Sequence, residues 1–361
     1  MTTRQGTDFG RTQRPDHGFL ARALDEPPLR PGVPIVDAHT HLWMHKSGYR
    51  YFVEEYAADV EASGHDIESA VFVECGAMYR RSGPEWLRSL GETEFAVGMA
   101  AIAESGCFTD TRAAAAIVGN VDLTRGAAAG EVLDAHLELA NGRFRGVRHR
   151  AKWDPDPAVK GAVSADRPGL YLEPALQRGL VEVAARGLVF QASIFHPQIS
   201  DVVELARAVP EAQIVVIHTA SPVTRSSYAD RLAEVHRDFV AGLQRLAACP
   251  NVTIKLGGLL MSLGTFDFQL ADRPPTSFEL VDLWRPYLEP CLELFGPERC
   301  MVSSNFPVDK AGIPYRTIWN MFSRLTEGFS PEERRQVFAG TAQRVYRIDD
   351  PVRVGSQVTT P

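Results

Sequence analysis

No C-x-x-C pair occurs in the sequence, and its five cysteines, Cys75, Cys107, Cys249, Cys291 and Cys300, are odd in number and widely spaced. That pattern excludes a ribbon-type zinc site and a complete disulfide framework, and it predicts reduced, mostly buried thiols. No run is apolar for long enough to span a bilayer, and the opening MTTRQGTDFGRTQRPDHGFL has no apolar signal core. The expectation is a cytoplasmic protein with no membrane partner. Blocks of like charge are missing too. With a net charge of −7 the chain as a whole repels nucleic acid, so none is expected as a partner, and attraction for an anionic ligand has to be local. No G-x-G-x-x-G follows the first strand-like run, which removes the dinucleotide cradle and leaves no organic cofactor expected.

What the chain does hold is a regular alternation. Hydrophobic residues make up 45% of it, enough for a large core, and they gather in short runs. The runs are IVDAHTHLW, SAVFVECGAMY, FAVGMAAIAE, FRGVRHRA, GLVFQASIFHPQ, QIVVIHTASP, NVTIKLGGL and CMVSSNFPVD. Between them lie segments such as EVLDAHLELANG, EPALQRGLVEVAARG and ISDVVELARAVP, whose apolar residues recur at i, i+3 and i+4. Apolar strands separated by helices predict a parallel sheet covered on both faces, and eight such units predict an α/β fold of the (β/α)8 TIM-barrel type. An open doubly wound sheet is the competing fold. The expected organisation is a flexible N-terminal arm over residues 1–30, the barrel over 31–347 and a C-terminal tail over 348–361. GTFDFQLADRPPTSFELV, after the seventh run, is broken by Gly264, Pro274 and Pro275 and predicts a loop.

In such a barrel, polar residues at the C-terminal strand ends share one pocket. His39 and His41 stand at i and i+2 and would face the same side of the first strand. With His196 and His218 at the ends of the fifth and sixth runs they form a nitrogen-rich set suited to zinc or another divalent ion. Asp37, two residues before His39, would orient a ligand imidazole or bond backbone at the barrel floor. The remaining strand tails supply Glu74, Arg148, His149, Lys255, Ser303, Ser304 and Asn305. Arg148, Arg150, Lys152, Arg225 and Lys255 make a cationic lining in an acidic chain. A buried Arg148 or Lys255 needs an anionic partner, and a substrate carboxylate is one candidate. Trp43, Phe52 and Trp153 suggest an apolar wall.

VDAHTHLW resembles the first-strand metal motif of the amidohydrolase superfamily. VFVECGAMYR, RFRGVRHRAKWDPDP, FHPQISDVVELA, VVIHTASP, NVTIKLGGL and CMVSSNFPVDK together are similar to the branch that holds 2-pyrone-4,6-dicarboxylate lactonase and sugar lactonases, over about Ile35 to Tyr346. The resemblance implies that His39 and His41 bind a divalent metal, zinc or manganese, that His196 and His218 add a ligand or touch substrate, and that Arg148 holds a substrate carboxylate. Arg150 and Arg225 are its candidate helpers.

One departure stands out. The superfamily usually ends its eighth strand with an aspartate that binds metal and acts as base, whereas this chain has Asn305. An amide takes no proton from water at neutral pH. Three repairs stay open: Asp309 reaching back, Glu74 as ligand or base, and His218 as base with the metal weak or absent. The implied activity is hydrolysis of a lactone, or a related ester or amide carbonyl, in a small carboxylate-bearing metabolite. Its candidate catalytic residues are His218, His196, Glu74, Lys255 and Asn305, and a homodimer is compatible with it. Non-oxidative decarboxylation on the same barrel is the alternative reading, and a barrel that binds without turnover is the third.

Overall fold

Every side chain of Ile35–Thr40, the first strand, is buried, as a strand covered on both faces requires. The computed structural model describes residues 12–45, 47–156, 158–159, 164–260 and 266–348. The barrel strands are β1 (Ile35–Thr40), β2 (Ile67–Val73), β3 (Arg112–Gly119), β4 (Phe144–Arg150), β5 (Val189–Ser193), β6 (Gln213–Val216), β7 (Val252–Leu256) and β8 (Cys300–Val302). They pair in parallel, each with the next in sequence. Beyond β8 the chain returns to β1: Asn305 N donates to His39 O at 3.0 Å and His41 N to Phe306 O at 2.7 Å. Each strand is followed by a helix, in order α1 (Val53–Ser63), α2 (Leu90–Glu104), α3 (Ala129–Leu139), α4 (Pro174–Ala185), α5 (Ile199–Ala208), α6 (Leu232–Ala247), α7 (Ser277–Phe295) and α8 (Tyr315–Leu325). The fold is the (β/α)8 barrel.

Two cores follow from strand alternation. Val36, Ala38, Val71, Val73, Val118, Val215 and Met301 fill the barrel interior, and the closing helix Thr341–Tyr346 plugs its floor with Val345 and Tyr346. Gln191 donates from Nε2 to the Tyr346 hydroxyl at 2.8 Å, which ties plug to barrel. Phe72, Ile117, Phe144, Phe190, Ile214, Ile254 and Val302 face outward to the helices.

The third expected strand is corrected. FAVGMAAIAE lies in α2, whose buried residues Ala96, Met99, Ala100 and Ala103 follow the helical spacing. The true third strand, RAAAAIVG, is alanine-rich and so lacks the β-branched signature that marks its neighbours. The lead segment is also more ordered than a flexible arm. From Asp16 onward it is tied to the barrel: Arg22 Nε donates to Asp272 O at 2.6 Å, Ser277 N to Glu26 at 2.8 Å, and Leu29 N to Asn320 Oδ1 at 2.7 Å. The first eleven residues of the expected arm, residues 264–265 of the expected loop and residues 349–361 of the tail lie outside the described residues. Among the described residues no helix is long and apolar enough to cross a membrane.

Candidate active site

Three imidazoles meet at the C-terminal mouth of the barrel. The His39 ring centroid lies 4.9 Å from that of His41 and 4.5 Å from that of His218. All three side chains are buried. The shared face of β1 is not the simple i, i+2 arrangement: the pairing of β1 with β2 shifts between Asp37 and Thr40. Asp37 therefore points away from the histidines. It accepts from Tyr315 OH of α8 at 2.8 Å, from Ser304 N at 2.9 Å and from the Ser304 hydroxyl. Of its two expected roles the structure shows the backbone one: it accepts from Ser304 N and, at 3.3 Å, from His39 N, and so clamps the turn after β8. Tyr315→Phe is expected to lower stability by about 1–2 kcal/mol, because Asp37 keeps its Ser304 donors but loses a buried one. Urea unfolding of the variant against the wild type measures this.

Partner atoms fix two tautomers. His41 Nδ1 lies 2.7 Å from Val73 O, an acceptor only, so Nδ1 carries the proton and Nε2 offers a lone pair. His39 Nε2 lies 3.5 Å from Arg148 Nη1, a donor only, so its proton sits on Nδ1. His39 Nδ1 and His218 Nδ1 are buried with no hydrogen-bond partner among the described residues. Burial first, and then the charges of nearby cations, hold all three imidazoles neutral. His41 is pushed down to about 3 by burial and Arg148. His218 falls well below the usual range through burial, Lys152 and Arg148, and His39 does so through burial, the repulsion that a protonated His218 would add, and Lys255.

His218 opens a strained turn. His218, Thr219, Ala220 and Ser221 all have φ between 41° and 55°, a left-handed run that L residues avoid at ~1–2 kcal/mol each. The turn presses on Gly257 and Gly258 after β7. Gly257 N donates to Thr219 Oγ1 at 3.3 Å, and a Cβ at Gly258 would collide with His218 Nδ1. Strain held at one strand end by a neighbouring backbone marks a position that the fold over-determines.

Glu74 is held by two arginines. Its Oε1 accepts from Arg148 Nε at 2.6 Å and Arg150 Nε at 2.9 Å, and its Oε2 from Arg150 Nη2 at 2.6 Å. Burial alone would raise its pKa, but the two guanidiniums bring it down to about 2. Glu74 is thus neither free base nor free ligand. Behind it, Glu92 of α2 accepts from Cys75 N and Ala77 N, both at 2.9 Å, and fixes the loop after β2. Reading α2 as a strand hid this residue.

Lys255 faces inward but down. Its Nζ donates to Ala38 O and stands 4.8 Å over the Tyr346 ring, which ties β7 to β1 and to the floor plug. His196 also leaves the expected set. Three residues beyond the end of β5, its Nδ1 accepts from Val223 N at 3.2 Å and its ring meets Tyr228 edge-on. Arg225 pairs with Asp267 at 3.6 Å, tying the loop after β6 to the segment after β7. His149 takes the helix-facing side, where its Nδ1 lies 3.4 Å from Leu123 N. Ser303 donates to Leu256 O. Lys152 stays with the cluster: half-buried, 5.2 Å over the Phe195 ring, its ammonium is pushed down to about 7 by burial, Arg148 and Arg150. Trp43 stacks on His41 at 5.8 Å, whereas Phe52 packs on Phe95 and Trp153 bonds through its backbone to Gln198.

The residues present do not fit a divalent cation. Among the described residues no three His, Cys, Asp or Glu side chains are set to hold one together. Glu74 is paired with two arginines, and Asn305 gives its amide to Asp309 at 2.8 Å. The Arg148 guanidinium faces His39 Nε2, so a cation already stands where a metal would have to approach that nitrogen.

Comparison with known proteins agrees with the barrel. The uncharacterized protein y4mH of Sinorhizobium fredii is 30% identical over 337 residues, 88% of this chain and 99% of that protein. An L-fucono-1,5-lactonase of Burkholderia multivorans is 25% identical over 336 residues, covering 89% and 98%. A crystal structure of an amidohydrolase from Burkholderia multivorans with bound zinc superposes with a TM-score of 0.65 at 22% identity, covering 87% of this chain and 99% of its own. The Amidohydrolase family model matches residues 36–348, from the second residue of β1 to the floor plug, and the chain belongs to that family.

Proposed function

We propose that this protein is a hydrolase that opens the lactone ring of a small, carboxylate-bearing molecule, with neutral imidazoles rather than a metal acting on water. The observation that carries the reading is the charge balance of the site: three neutral histidines face Arg148, Arg150 and Lys152, and among the described residues Glu74 is the carboxylate paired with the two arginines. A surplus of positive charge beside uncharged bases suits an anionic substrate. The relative that acts on a lactone supports the choice of ring.

The roles follow from the donors and acceptors. Arg148, with Arg150 and Lys152, takes the substrate carboxylate, for which a guanidinium fork is suited. His218 removes a proton from water as it attacks the lactone carbonyl, which leaves the water one further hydrogen to give to a fixed acceptor. The His39 Nδ1 proton meets the developing oxyanion. The ring C–O bond then breaks, and the proton on His218 passes to the leaving alkoxide, giving the open hydroxy acid. A docked carboxylate offsets the charges of Lys152 and Arg148 that depress His218, so the substrate itself raises the basicity of the group that activates water.

The test uses protein purified without added metal and a panel of aldono-1,4-lactones, aldono-1,5-lactones and lactones bearing a second carboxylate, with acid release followed by a pH indicator. Turnover of a carboxylated member is expected to survive a chelator and to fall by about 10²–10⁴ in His218→Asn, the range for a lost general base. In H₂¹⁸O the product should carry the label. Unlabelled product with released CO₂ would point to decarboxylation, and chelator-sensitive turnover with stoichiometric metal would overturn the metal-free mechanism.

A further inference from the structure

Asn305 and Asp309 form a buried pair that the mechanism above leaves unused. Asn305 closes the barrel through its backbone bond to His39, in a left-handed conformation with φ 57°. Four residues on, Asp309 N donates back to Asn305 O at 3.2 Å, and Asn305 Nδ2 donates to Asp309 Oδ1 at 2.8 Å. Asp309 is fully buried and Asn305 nearly so. The next residue, Lys310, is committed to Asp59 at 2.6 Å and does not serve Asp309. The Asp309 carboxylate also faces the Leu260 backbone N–H, and its Oδ2 otherwise has no hydrogen-bond partner among the described residues.

A carboxamide is planar, with its nitrogen and oxygen on opposite sides of the carbon. Once Nδ2 is held by Asp309, the end left for any other partner is Oδ1, an acceptor. We infer that Asp309 is a positioning residue that locks the Asn305 amide so that its carbonyl oxygen is offered to the attacking water. This deepens the hydrolase reading and rests on it. Asn305 would then orient the water by accepting a hydrogen bond and leave its proton to His218. Asp309 would need only an acceptor oxygen for this task, not a charge. Burial outweighs the donors that lower its pKa and raises it to about 7, so a neutral side chain there is no great departure.

The experiment separates orientation from turnover. Asn120, Asn141, Asn251, Asn305 and Asn320 are the chain's asparagines, so ¹⁵N-asparagine labelling gives a sparse spectrum, with Asn305→Ala to assign the side-chain signal. In the wild type, one Nδ2 proton of Asn305 is expected to exchange with water at least about tenfold more slowly than those of the exposed Asn141, as a buried hydrogen bond requires. Asp309→Leu should remove this protection and Asp309→Asn, which keeps an acceptor, should retain it. Asp309→Ala serves if the leucine does not fold. On the carboxylated lactone that the panel selects, kcat should fall at least tenfold in Asp309→Leu with KM little changed, and should be largely kept in Asp309→Asn. An unprotected Asn305 in the wild type, or protection that survives Asp309→Leu and Asp309→Ala, overturns the lock. Equal loss of turnover in Asp309→Asn and Asp309→Leu overturns the claim that only an acceptor is needed. If no lactone is turned over, the hydrolase reading fails by itself, and the exchange data still decide the orientation of Asn305.

Discussion

Glu74→Leu is expected to lower stability by about 3–5 kcal/mol, the cost of leaving one partner of a buried ion pair uncompensated. The loss is carried mainly by Arg148, whose side chain is 8% exposed, since Arg150 is 40% exposed and can return its charge to water. Urea unfolding followed by tryptophan fluorescence measures it, and a second substitution, Arg148→Met, should recover part of the loss by removing the orphaned charge. The pH dependence has a definite sign. Glu74 in the folded chain is depressed to about 2 from a reference of 4.5, so its contribution is present above pH 4.5 and is lost as pH falls from there through about 2. The wild type should therefore lose more stability over that window than Glu74→Leu does. A loss near zero in the variant, with parallel acid profiles, would mean that the pair is solvated and does not order the site.

The same pair shows what sequence reading reached and where it stopped. His39, His41 and His218 were legible because an imidazole is a poor filler for the end of an apolar strand unless it meets polar partners there, and the structure brings those three together. The partner of Arg148 was not legible. Arg148 and Glu74 are 74 residues apart, and which strand-end charges meet depends on the stagger of β2 against β4, set by β3 between them. That stagger includes register shifts which no local pattern announces. β3 itself was hidden by its alanines, and with it the helical nature of the preceding segment and the role of Glu92.

Asp37 takes the backbone-binding one of its two expected roles, and His196 leaves the pocket, for a common physical reason. A pocket position for either needs strand alternation that runs undisturbed to the strand end. In β1 the pairing shifts between Asp37 and Thr40, which sends Asp37 to Tyr315 and lets His39 turn inward. β5 ends at Ser193, and the chain has turned before His196, so that histidine binds the Val223 amide instead. Lys255 was placed on the correct face, but its side chain runs toward the floor, because Tyr346 rises from the C-terminal helix to meet it. That helix is distant in sequence and carries no feature that names the barrel bottom as its place.

Gly258→Ala is expected to reduce kcat on a carboxylated lactone by about 10²-fold, the loss that follows when a reacting group is displaced by about 1 Å. The added methyl would occupy the space of His218 Nδ1, and the ring cannot retreat freely, because its own turn is a left-handed run seated on Gly257 through Thr219. Gly258 also has φ 65°, so the alanine carries a conformational cost that must be separated from the collision. Gly142→Ala supplies that separation. It has φ 79°, nothing within 4 Å of the new methyl, and a place between α3 and β4 at the far end of the barrel. Both variants should lose about 1–2 kcal/mol to the left-handed backbone, the usual cost for an L side chain there, and only Gly258→Ala should lose turnover. Equal turnover in the two would show that His218 tolerates displacement, and the general base would then have to be sought at His41.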